Sequence, residues 1–100
     1  MTKDTIIHTL TTNSQMIKSY GVDKIGIFGS YARNQQTEQS DIDIVVKFED
    51  GKKSYKAFIK LAYYLEEILN KKVDLVTYKS LSDNFIAHIE KEIRYVALGH

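Results

Sequence analysis

The chain has 100 residues, 43% of them apolar and 27% charged, with a net charge of +1, no cysteine and no proline. That length suits one domain, residues 1–100, with a modest core, and the lack of cysteine excludes a disulfide framework and a thiolate metal site. The small net charge lacks the basic footprint of a dedicated nucleic-acid binder; no apolar run reaches membrane-span length and the amino terminus has no secretory core, so a cytoplasmic protein is expected.

In chain order, residues 4–20 predict a helix with Ile6, Leu10, Ile17 and Tyr20 near one face, Asp4 as cap and Gly21 as stop, although its Thr-, Asn- and Ser-rich middle holds weak helix formers. Residues 24–28 read as a short buried strand that breaks at Gly29-Ser30, where Tyr31-Ala32-Arg33 suits a turn of helix. A strand that ends at Gly and opens a helix leaves backbone N–H groups aimed at one spot, and such a spot attracts anions. Gly29 permits close approach, Ser30 offers a hydroxyl donor and Arg33 adds positive charge. Neither Gly-x-x-x-x-Gly-Lys-Ser/Thr nor Gly-x-Gly-x-x-Gly is present.

After a polar connection over 34–40, residues 41–48 alternate as a strand. Positions two apart share a face roughly 6.5 Å from each other, so Asp41, Asp43 and Val45 point one way and Ile42, Ile44 and Val46 the other. Two carboxylates side by side at the mouth of an apolar strand repel and lose hydration, and a hard divalent cation such as Mg²⁺ relieves both.

Glu49-Asp50-Gly51 marks a turn. The helix expected at 54–70 places Tyr55, Phe58, Ile59, Ala62, Leu65 and Leu69 on one face, with Tyr63 and Tyr64 at its rim. Lys52, Lys56 and Lys60 recur every four residues, as a solvated face or as a contact for phosphates. In the strand at 72–78, Asp74 interrupts an apolar run; it is either a third site carboxylate or a water-facing edge residue paired with Lys71 or Lys72. Residues 81–98 show Phe85, Ile86, Ile89 and Ile93 at helical spacing, with Ser82 or Asp83 as cap and Glu92 near the end, and 95–98 fit a continued helix or a further strand equally well. His8, His88 and His100 have no zinc-site spacing.

Gly29-Ser30-Tyr31-Ala32-Arg33-Asn34 followed by Ser40-Asp41-Ile42-Asp43 resembles the Gly-Ser-x-Ala-Arg-Gly and Ser-Asp-x-Asp signature of the polymerase-β-type nucleotidyltransferase superfamily, in its minimal nucleotidyltransferase (MNT) form. Only the final Gly differs, and Asn34 tolerates the same left-handed backbone. The resemblance implies an α/β (α+β) fold: a small mixed sheet of three to four strands, helices mainly on one face, acids on the other. It implies catalytic, metal-holding roles for Asp41, Asp43 and Asp74 with two Mg²⁺ ions, and phosphate binding by Gly29, Ser30 and Arg33. It further implies transfer of AMP from ATP to a tyrosine of an all-helical HEPN toxin, with this chain as the antitoxin in a hetero-oligomer. A non-catalytic antitoxin acting by contact, and transfer to a small molecule or an RNA end, are the alternatives.

Overall fold

The computed structural model describes residues 1–99, and His100 lies outside them. The polar run inside the first helical stretch splits it into α1 (Lys3–Thr12) and α2 (Ser14–Ser19). At the end of α1 the Asn13 side chain and backbone N–H both donate to the Thr9 carbonyl, at 2.8 and 3.2 Å, so the amide competes locally for the backbone acceptor. Thr2, rather than Asp4, caps α1, its hydroxyl accepting from the Thr5 N–H.

Strand β1 (Val22–Phe28) begins earlier than the alternation indicated. A register shift between Val22 and Lys24 explains the difference: the extra residue turns Val22 onto the same face as Ile25 and Ile27. Helix α3 (Gly29–Ala32) follows directly, and Asn34, at φ 59°, takes the left-handed conformation allowed for it at the helix end. Strand β2 (Ile42–Phe48) pairs antiparallel with β1; helix α4 (Tyr55–Leu69) then crosses over to β3 (Val73–Thr77), which lies parallel to β2. Parallel neighbours need such a crossover. A short 3₁₀ turn (Tyr78–Ser80), α5 (Asp83–Ile89) and β4 (Arg94–Tyr95) complete the fold. Ser82 caps α5. Of the carboxyl-terminal residues 95–98, only Tyr95 joins a strand, β4, which is antiparallel to β1 in the order β3-β2-β1-β4, and residues 96–98 are neither helix nor strand.

The main core lies on one face, where Ile25, Ile27, Ile42, Ile44 and Val46 meet Ile6, Leu10 and Ile17 of α1 and α2 and Leu61, Leu65 and Leu69 of α4. The expected α4 stripe is off-centre: Tyr55 is 81% exposed, and Leu61 takes a fully buried place. Tyr64 sits at the core rim, donating to Asn13 Oδ1 at 3.1 Å, whereas Tyr63 faces out. On the opposite face Phe28, Val45, Ile89 and Ile93 form a second small cluster, so α5 covers part of the acid face instead of leaving it open.

Candidate active site

Strand register brings the site together. Asp43 is the direct neighbour of Phe28 on β1 and of Asp74 on β3, so the two side chains leave the same face of neighbouring strands, whose backbones run about 4.8 Å from each other. Asp41 stands just before β2 and, like Asp74, is exposed; its Oδ2 lies 4.0 Å from Lys72 Nζ. Lys71 instead donates to the Glu38 carbonyl at 2.9 Å. β3 is an edge strand, which keeps Asp74 hydrated; the desolvation expected there falls on half-buried Asp43.

The Gly29-Ser30 turn lies against these acids. Gly29 has φ +74°, and a Cβ built on it would run into the Asp43 carboxylate, with Cγ only 3.0 Å away. Only glycine combines that backbone with that approach. Its N–H donates to Glu92 Oε2 at 2.6 Å, and Arg33 Nη1 donates to the same oxygen at 2.9 Å. Arg33 Nε also donates to Gln35 Oε1 at 3.1 Å. Ser30 is half-buried at the start of α3.

Burial raises the Asp43 carboxyl to about 6, helped by the charges of Asp74 and Asp41 and opposed by that of Arg33. Among the described residues no three acidic or histidine side chains are drawn into a ready-made metal cage. The donor chemistry still fits a hard divalent cation: exposed Asp41 and Asp74 flank an Asp43 whose ionised form is held back by burial and like charge, the two effects such an ion reverses.

The nucleotidyltransferase domain family matches residues 10–96. The chain belongs to that family. This nucleotidyltransferase is 39% identical over 97 residues to the protein adenylyltransferase MntA of Thermococcus cleftensis, covering 96% of this chain and 97% of the relative. A toxin–antitoxin structure with AMP-PNP superposes with a TM-score of 0.67 at 29% identity, covering 95% of this chain and 72% of that one. A tri-AMPylated Shewanella oneidensis HEPN toxin in complex with MNT antitoxin matches with a TM-score of 0.56 at 27% identity, over 84% of this chain and 68% of that one. The fold expected from the signature, a mixed sheet with helices mainly on one face, is the one found.

Gly29, Asp43 and Asp74 are therefore neighbours, with Asp41, Ser30 and Arg33 at their margin. The lysine row plays no part here: exposed Lys56 and Lys60 ride on α4, across the sheet from the acids. Glu92 is the residue that sequence reasoning missed. It lies 63 positions from Gly29, and no local pattern connects the two.

Proposed function

We propose that this nucleotidyltransferase moves AMP from ATP to a hydroxyl of a partner protein, a tyrosine of a HEPN toxin, and so acts as the antitoxin of the pair. The observation that carries the reading is the seating of the Gly29 turn directly on the Asp43 carboxylate, with Asp74 in register beside it. A donor site for phosphate and a donor set for a cation then share one small volume, as a metal-bound triphosphate requires.

Asp41, Asp43 and Asp74 would hold two Mg²⁺ ions, which when bound supply charge neutralisation at the attacking and leaving oxygens. The Gly29 N–H and the Ser30 hydroxyl orient the β- and γ-phosphates, and Arg33 balances charge on the leaving pyrophosphate. The acceptor oxygen forms a bond to the α-phosphorus while the bond from that phosphorus to the bridging oxygen breaks and pyrophosphate departs; Asp74 takes the hydroxyl proton. The edge-strand position of Asp74 and the exposure of Asp41 suit an acceptor carried on a second protein, since a macromolecule can reach an exposed ledge. The relative named as a protein adenylyltransferase and the HEPN–MNT complex support the same choice.

The test is label transfer from ATP carrying the label on the α-phosphate, with Mg²⁺ and an extract of the source cell, beside an Asp41→Asn, Asp43→Asn control. A labelled protein band absent from the control is expected. Acid-dependent label on RNA or a small molecule would replace the acceptor, and no acid-dependent label on anything would leave a chain that acts by contact alone.

A further inference from the structure

Glu92 occupies the donors that the phosphate turn offers a nucleotide. Its Oε2 receives both the Gly29 N–H, at 2.6 Å, and Arg33 Nη1, at 2.9 Å, and its side chain is only 17% exposed. Its charge adds to those of Asp41 and Asp74 around Asp43, so it stands where negative charge is already crowded. A carboxylate and a phosphate oxygen seek the same donors, and one pair of donors cannot serve both.

The backbone beneath Glu92 is pinned. The N–H groups of Glu92 and Ile93 both donate to the Ile89 carbonyl, at 2.9 and 3.0 Å. Ile93 is buried against Phe28 and Val45, β4 pairs with Gly26 and Ile27, and the Val96 N–H reaches the Ile25 carbonyl at 2.9 Å. The carboxylate can therefore leave the turn by side-chain rotation while the chain that carries it stays in place.

We propose that Glu92 is the resident anion of the phosphate turn: it holds the Gly29 N–H and Arg33 in position in the nucleotide-free protein and yields them to the phosphates of an incoming nucleoside triphosphate, thereby setting nucleotide affinity. The inference rests on the reading that those phosphates bind at Gly29 and Ser30. Nucleotide binds the fraction of molecules in which Glu92 has turned away, so its apparent affinity is reduced by that fraction. Removing the carboxylate removes the competitor.

The experiment is calorimetric titration of the intact chain and of Glu92→Ala and Glu92→Gln with a non-hydrolysable ATP analogue plus Mg²⁺, and separately with adenosine. Glu92→Ala should bind the analogue about tenfold more tightly and Glu92→Gln several-fold, with adenosine binding unchanged. Glu92→Gln keeps the shape of the side chain, so it carries the test if the alanine variant fails to fold. Unchanged or weaker analogue binding in a folded variant would overturn the proposal and leave Glu92 as a tie between the carboxyl-terminal strand and the turn; tighter binding of adenosine as well would overturn it as a general loosening. Analogue binding by the unaltered chain that is lost in Asp43→Asn, without a gain on changing Glu92, defeats this inference alone. No binding by the unaltered chain defeats the phosphate-site reading and the inference together.

Discussion

At Gly29 the chain must take a left-handed backbone and also lie against a carboxylate, and a methyl group defeats both. Gly29→Ala is expected to cost about 1–3 kcal/mol of stability and to abolish transfer, because the turn can relax only by moving away from Asp43. A variant that melts and turns over like the parent would show that the turn does not depend on this contact. Asn34 is the permissive counterpart: already at φ 59°, it should accept glycine with a change of no more than about 0.5 kcal/mol in a denaturant melt. Asp43 sets the local pH dependence. Its folded carboxyl sits near 6, above its unfolded value, so the folded state binds the proton more tightly. The stability this contributes is complete below about pH 4 and is lost as pH rises through 6. Asp43→Asn carries no such penalty. Above pH 6 it should therefore be the more stable protein, by on the order of 1 kcal/mol once half-exposure is discounted, and the two melting curves should converge near pH 4 while transfer is lost at every pH.

Elements were legible where periodicity reports burial and illegible where a distant contact decides. Alternation in β2 assigned Asp43 and Val45 to one face and Ile44 and Val46 to the other, as the register has them. The start of β1 was hidden by its bulge, which places Val22 and Ile25 on one face at a three-residue spacing that strand alternation does not predict. In α4 the apolar residues outnumber those the sheet can cover, so the helix rotation was settled by packing, which buries Leu61 and leaves Tyr55 in water. Asp41, Asp43 and the glycine turn stood within one short stretch and could be read together; Glu92 could not, since its link to the turn exists only after β4 docks. That docking depends on Gly26, where a Cβ would approach Ile93 Cγ2 to 2.9 Å and the Arg94 carbonyl to 3.1 Å. Gly26→Val should lift β4, seen as faster hydrogen exchange at the Val96 amide with the amides of α4 unaffected. Uniform acceleration across the chain would mean that β4 is not a separable unit.

For the whole molecule, the sheet divides the labour: one face is closed by α1, α2 and α4, and the other sets carboxylates beside the Gly29 turn. Burial, and after it the charges of Asp74 and Asp41, hold the Asp43 carboxyl up, and a divalent cation should reverse these effects. A cation that binds ionised Asp43 must displace its proton, so apparent metal affinity should fall about tenfold for each pH unit below 6. Mg²⁺ added with ATP should therefore raise the melting temperature by several degrees at pH 7.5 and by clearly less at pH 5, because stabilisation grows with the logarithm of the ratio of ligand concentration to dissociation constant. In Asp43→Asn the shift should be small at both values. An equal Mg²⁺ shift at pH 5 and 7.5, or one that survives in Asp43→Asn, would place the cation away from β2, and with it the chemistry proposed for this face.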